Sequence, residues 1–192
     1  MTRLFLVRHG PTHAKTMVGW SDLPADLSDT AQLSRLADYL PAGATVVSSD
    51  LSRAADTASA IQRDRIRLPH HRDLREIHFG AWELRSWAEI DAEDPEHIRA
   101  YWETPGDVRP PGGESWNEVC TRVDAAVDGL IAAHPGGDLI VVGHFGMILT
   151  QIQRAERLTA EEAFSHRIDN LSVSEVFKTP DGWQTGRINH LP

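Results

Sequence analysis

The chain has 192 residues, 41% hydrophobic and 24% charged, which is ordinary globular composition and enough for one substantial core. Nineteen Lys and Arg against 28 Asp and Glu leave a formal charge of −9, which excludes broad binding to nucleic acid or to an acidic membrane, since either needs a net basic face. One cysteine rules out an internal disulfide, and neither a basic leader with an apolar core nor an apolar run of roughly 18 residues occurs. The expectation is therefore a soluble, cytoplasmic protein with one domain over residues 1–192, in which any anion site is a local cationic pocket.

The first predicted element is a strand. Leu4-Phe5-Leu6-Val7 sets four apolar residues in a row, the pattern of a strand buried on both faces in a largely parallel sheet. It ends on Arg8-His9-Gly10. Ligands of open α/β sheets collect at the carboxyl ends of strands. At such an end Arg8 offers a planar donor fork for phosphate, His9 a group that attacks phosphorus or shuttles a proton, and Gly10 a backbone that an oxyanion can approach. By itself the tripeptide fits equally well with Arg8 paired to a carboxylate and His9 capping the strand. Residues 11–24, with Pro11, Gly19 and Pro24, read as a loop wrapping the site. It carries Lys15 and Trp20, candidate contacts to the organic part of a ligand or, equally, surface and packing residues.

A helix is predicted over residues 28–40, with Ser28 as N-cap and Leu33, Leu36 and Leu40 on one face, stopped by Pro41 and Gly43. Residues 44–49 read as a second strand. Just beyond it Arg53 opens a helix whose first N–H groups favour anions and whose packing face is Ala54, Ala55, Ala58 and Ile61. Residues 68–113, rich in proline and carrying Trp82, Trp87 and Trp102, look like an irregular excursion beside the sheet. Within it Glu76 and Glu83 lie seven positions apart among Phe79 and Trp82, and a carboxyl in apolar company resists ionisation. Exposure to solvent is the plainer fate of either. Trp82 is a further candidate contact or core residue. No histidine falls into an HExxH or His-Cys pattern, so no metal is expected.

Ser115-x-x-Glu118 forms a capping box for a helix to about residue 134, with a stripe of Trp116, Val119, Val123, Val127, Leu130 and Ile131. Residues 138–143 are a strongly apolar strand ending on His144. Phe145-Gly146 and a helix-forming run follow, so a third polar residue is delivered to a strand end. Thr159-x-x-Glu162 caps a short helix, and residues 171–177 and 183–188 read as strands joined directly around Pro180-Asp181-Gly182, which makes an antiparallel pair and a mixed sheet.

Five separated motifs in this order resemble the histidine phosphatase, or phosphoglycerate mutase-like, superfamily over nearly the whole chain. Arg8-His9-Gly10-Pro11-Thr12 is similar to the signature whose histidine becomes phosphorylated. Residues 49–58, around Arg53, are similar to the second arginine motif, and residues 74–83, around Glu76, to the acid/base motif. Gly112-Gly113-Glu114-Ser115 with Arg122 matches a further segment, and Gly143-His144-Phe145-Gly146 the second histidine. The resemblance implies a three-layer α/β/α sandwich with a mostly parallel, mixed central sheet. It implies a metal-independent phosphatase without cofactor, acting on a small-molecule phosphate ester through phosphohistidine. In it His9 would be the nucleophile, Glu76 the acid, and Arg8, Arg53 and His144 the phosphate donors, with Thr12, Lys15, Trp20, Trp82 and Phe145 as further substrate contacts. The alternatives are a cofactor-dependent phosphoglycerate mutase, for which the chain is short, and a non-catalytic phospholigand-binding module, which would not need His9 and Glu76. The chain departs from the family at Pro11, Lys15, Leu84 and Ala31, around the mouth of the site. Whether the substrate is α-ribazole phosphate or a sugar phosphate stays open, as does the oligomeric state.

Overall fold

The computed structural model describes residues 1–192. Its strands are β1 (Thr2–Arg8), β2 (Thr45–Ser48), β3 (Asp138–Gly143), β4 (Val173–Thr179) and β5 (Gly182–Thr185), joined in the order β2-β3-β1-β4-β5. The three central and left-hand strands pair in parallel, whereas β4 runs antiparallel to both β1 and β5. Four strands thus point one way and β4 the other, and the two residues Pro180 and Asp181 between β4 and β5 permit only a hairpin.

Both faces of this sheet are covered, as the unbroken apolar runs require. Leu4, Leu6, Val47, Leu139, Val141 and Val176 point into a cluster of 25 buried residues, and Phe5, Val7, Val46, Ile140, Val142 and Val173 into one of 15. The smaller cluster is closed by α1 (Thr30–Tyr39) and α2 (Ser52–Ile61). The larger is closed by α3 (Trp87–Glu93), α4 (Pro95–Glu103), α5 (Trp116–Ala133), α6 (Phe145–Glu156) and α7 (Ala160–Phe164). The result is the three-layer α/β/α arrangement.

Several boundaries differ from the sequence reading for identifiable reasons. Asp29, not Ser28, caps α1, accepting from the Gln32 N–H, while the Ser28 N–H is itself held by Asp26 Oδ1 at 2.9 Å. The last strand stops at Thr185, although the chain stays bonded to β4 through Gly186 N–H to Glu175 O at 2.9 Å and Glu175 N–H to Arg187 O at 2.8 Å. Inside the expected irregular excursion lie two helices, α3 and α4, as well as 3-10 turns at Arg72–Leu74 and Gly80–Trp82. Their signals are present in the chain: Ser86 and Glu89 form a reciprocal capping box, and Asp94 caps α4 with Pro95 in its first turn.

Register is what assembles the site. In the parallel pairs Arg8 lies opposite Gly143, and Ser48 opposite Val142. The ladder continues one step past the strands, from His9 N–H to Gly143 O and from Ser49 N–H to Val142 O, each at 3.0 Å. All three polar strand ends therefore emerge at one edge.

Candidate active site

Arg8, His9, Arg53 and Glu76 face one cavity of about 240 Å³, together with Thr12 and Phe145. His9 is held in one tautomer by its neighbours. Its Nδ1 lies 2.7 Å from Gly10 O, which can only accept, so Nδ1 carries the proton; its Nε2 receives the Arg53 Nε–H at 3.2 Å, so Nε2 carries the lone pair. Burial, reinforced by the Arg53 guanidinium, lowers the imidazole to about 3 and keeps it neutral. Asn170 Nδ2 donates to His9 O at 2.9 Å and fixes the backbone behind it.

Arg53 is 1% exposed, and every donor group of its guanidinium is directed: Nε to His9, Nη1 to Ser21 O at 2.8 Å and Nη2 to Gly19 O at 2.6 Å. The α2 N-terminus that carries it is closed by Asp22, whose Oδ1 accepts the Ser52 N–H at 2.7 Å. That N–H is therefore already occupied, and the anion-binding capacity comes from the Arg53 side chain. Arg8 Nη1 donates to Ile168 O at 2.5 Å, its Nε is buried without a partner, and its guanidinium lies 5.5 Å from the centre of the Phe145 ring.

His144 is fully buried behind His9, the ring centres 5.1 Å apart, and neither of its nitrogens has a partner. Burial, then the nearby Arg53, holds it well below its ordinary pKa and hence neutral. A buried imidazole with both nitrogens free is costly unless something else uses it. The role of Gly10 is different from an oxyanion's approach: its N–H is taken by Thr57 Oγ1 at 2.9 Å, and a Cβ there would meet Leu27 at 2.7 Å. Small size, so that residues 25–27 can pass, is what the position needs.

The two glutamates are treated in opposite ways. Glu76 is buried, and although its carboxylate accepts from the N–H groups of Ile77 and Gly146, each at 2.9 Å, burial prevails and raises its pKa. Glu83 also feels burial. It is outweighed by the Ser21 hydroxyl at 2.7 Å and the N–H groups of Gly19, Trp20 and Phe79, which together hold Glu83 below its usual range. Glu83 fastens the loop to the excursion.

Four of the residues expected at the site do not line the cavity. His144 stands behind it. Trp20 turns away, donating from Nε1 to Glu76 O at 2.8 Å beneath the guanidinium groups of Arg72, Arg75 and Arg122. Trp82 is core, packed edge-on against Tyr101 with ring centres 5.4 Å apart. Lys15 is exposed on the loop outside the wall. In their place the wall uses Ala14, Thr16, Met17, Val18, Phe79 and Trp102. Met17 is positioned by a two-bond tie, N–H to Arg85 O at 2.9 Å and O from the Leu84 N–H at 2.8 Å. Leu84 adopts φ +61° to make it, a left-handed conformation that favours glycine. No group of three or more His, Cys, Asp or Glu side chains is placed to hold a metal ion.

The family model of the histidine phosphatase superfamily (branch 1) matches residues 4–191. This chain belongs to that superfamily. It is 31% identical to the bifunctional protein Rv2228c of Mycobacterium tuberculosis over 92% of this chain and 50% of the relative, so it spans about half the length of that relative. It is also 31% identical to a metal-independent phosphoserine phosphatase of Arabidopsis thaliana, over 95% of this chain and 79% of the relative. Among solved structures, Bacillus stearothermophilus YhfR superposes with a TM-score of 0.91 at 27% identity, covering 100% of this chain and 98% of that one.

Proposed function

We propose that the chain is a metal-independent phosphatase that hydrolyses small-molecule phosphate monoesters through a phosphohistidine at His9. The observation that carries this reading is the neutral, Nδ1-protonated His9, which lines the cavity with Arg8 and Arg53 and whose Nε2 lone pair accepts from Arg53 Nε–H. A neutral imidazole is a competent nucleophile at neutral pH, and dividing one displacement into two lowers each barrier.

In the first step Nε2 forms a bond to phosphorus as the ester P–O bond breaks, and the leaving oxygen takes the Glu76 proton. The positive charge left on the imidazole is met by the Nδ1–H bond to Gly10 O. Arg53 Nε, released from Nε2, turns to a phosphoryl oxygen, joined by Arg8, and these donors stabilise the equatorial charge. In the second step ionised Glu76 takes a proton from water, the water oxygen bonds to phosphorus, the P–N bond breaks and phosphate leaves. Glu76 must begin protonated, which its burial favours.

Rapid quench with labelled substrate tests the reading. Phosphorus on an imidazole nitrogen is labile to acid and stable to base, so the label trapped on protein is expected to show that pattern, to vanish in His9→Ala, and to form unchanged in the presence of a chelator. Acid-stable label, or activity lost with the chelator, overturns the mechanism.

A further inference from the structure

We propose that the organic part of the substrate is uncharged and largely apolar: a monophosphate with an alkyl- or aryl-like leaving group, lacking a carboxylate or a second phosphate. This rests on the phosphatase reading and specifies its substrate class. Half of the cavity wall is apolar, made by Ala14, Met17, Val18, Phe79, Trp102 and Phe145. The charged side chains in the wall are Arg8, Arg53 and Glu76 alone. Both arginines belong to the phosphate end, Arg53 through its contact with His9 and Arg8 through its position one residue before it.

A second anionic group on the substrate would need a cation of its own, because an unpaired charge in a partly desolvated site is costly. None is fixed at the mouth. Of the basic side chains on the surrounding loops, His13 bonds to Asp26 at 2.8 Å, Arg75 to Asp50 at 2.7 Å, Arg122 to Glu114 at 2.8 Å and Arg167 to Asp169 at 2.8 Å, while Arg72 stands over the Trp20 ring, outside the wall. Lys15 is exposed and outside the wall. What the mouth offers is an aromatic surface: Trp102 packs against Phe79 with ring centres 6.1 Å apart and against Phe164 at 5.7 Å, so its ring is held rigidly rather than swinging in solvent. Such a surface gains from an apolar leaving group, and beyond the phosphate end it holds no cation to pair with a carboxylate.

The test is kcat/KM for methyl, butyl and hexyl phosphate, which share leaving-group chemistry and differ in apolar length, set beside p-nitrophenyl phosphate, 3-phosphoglycerate, phosphoserine and glucose 6-phosphate. Each methylene that reaches the wall is expected to raise kcat/KM by up to about fourfold, chiefly through KM. Hexyl phosphate should exceed 3-phosphoglycerate, phosphoserine and glucose 6-phosphate by roughly tenfold or more. Trp102→Ala should flatten the series, lowering the hexyl rate several-fold while the methyl rate stays within about twofold. If that variant does not fold, Met17→Ala reads the same wall, and the slope in the unaltered protein decides by itself. A flat series, a preference for 3-phosphoglycerate, phosphoserine or glucose 6-phosphate, or a selective loss of phosphoglycerate turnover in Lys15→Ala overturns the substrate class. In those cases hydrolysis of p-nitrophenyl phosphate through labelled His9 leaves the phosphatase reading standing. No hydrolysis of any ester and no labelled His9 overturns both.

Discussion

The two walls of the cavity are built by different means. The phosphate wall consists of residues at or close behind strand ends, and the hydrogen-bond ladder itself sets where they stand: His9 and Ser49 are each locked to β3 through a 3.0 Å bond. The opposite wall comes from the loop at 14–18, from the excursion and from the start of α6, and the loop is held against the excursion by local ties such as Met17 to Arg85 and Glu83 to the N–H groups of Gly19 and Trp20. A sheet edge gives positional precision for chemistry, whereas loops tolerate the variation that sets which substrate enters. Substitutions on the first wall should therefore act on the chemical step, and those on the second on binding or stability.

The largest expected effect is at the first wall. His9→Ala should lower kcat by on the order of 10⁴–10⁶-fold, since it removes the nucleophile and leaves only binding and charge stabilisation. Arg53→Lys should cost roughly 10²–10³-fold, because an ammonium cannot meet Ser21 O, Gly19 O and a phosphoryl oxygen with one planar fork. Single-turnover formation of phosphohistidine measures both. An Arg53→Lys enzyme that phosphorylates His9 at the normal rate would break the assignment of Arg53 to the phosphate.

Glu76 and Glu83 sharpen the comparison, since they share a segment and differ in what surrounds them. Glu76→Gln should slow phosphohistidine formation from an alkyl phosphate by roughly 10²–10⁴-fold and from p-nitrophenyl phosphate far less, because a phenolate leaves without a proton. In the unaltered enzyme the same step should fade as pH rises through the elevated Glu76 pKa, and the variant should lose that dependence. Glu83→Gln turns one acceptor oxygen into a donor facing N–H groups, and should lower stability by about 2 kcal/mol. Its rates with good and poor leaving groups should fall together. A loss confined to the poor leaving group in Glu83→Gln would exchange the two roles.

How much of this was legible follows the same division. The strand ends were readable, because a β-favouring, mostly apolar run that stops on Arg8, on Ser48-Ser49 or on His144 is a local pattern, and parallel register then brings the three together. The hairpin and the capping boxes of α5 and α7 were readable for the same reason. Met17, Phe79 and Trp102 were not, since no periodicity links positions 17, 79 and 102, and only the folded excursion brings them to one wall. Trp20 and Trp82 misled because an aromatic residue beside a motif looks like a ligand contact; one braces Glu76 from behind and the other fills the core. Helices α3 and α4 are masked in the sequence by the surrounding prolines, although Pro95 starts a helix instead of breaking one.

The smallest expected effect concerns stability, and it tests whether the first wall keeps its histidines neutral. Burial, with Arg53 adding to it, lowers His9 to about 3 and His144 well below its ordinary value. In the unfolded chain each takes up a proton near pH 6.5. Below that pH the unfolded state therefore binds protons that the folded state does not, and stability falls on acidification by about 1.4 kcal/mol per pH unit for each histidine. Glu76 acts in the opposite sense: its raised pKa means that the folded state keeps a proton the unfolded chain has lost, so its contribution is full below the unfolded carboxyl pKa and fades as pH rises through the folded value. Between pH 6.5 and 4.5 two histidines outweigh one glutamate, and the net slope is a loss of stability toward acid. Urea unfolding at pH 7.5, 6.5 and 5.5 measures it, and the comparison with His9→Asn isolates one histidine, because all other titrating groups cancel. The variant is expected to lose about 1.4 kcal/mol less than the unaltered protein between pH 7.5 and 5.5. Equal losses in the two proteins would mean that folded His9 protonates as readily as the unfolded one, and that burial and Arg53 do not keep its Nε2 lone pair unprotonated under mildly acidic conditions.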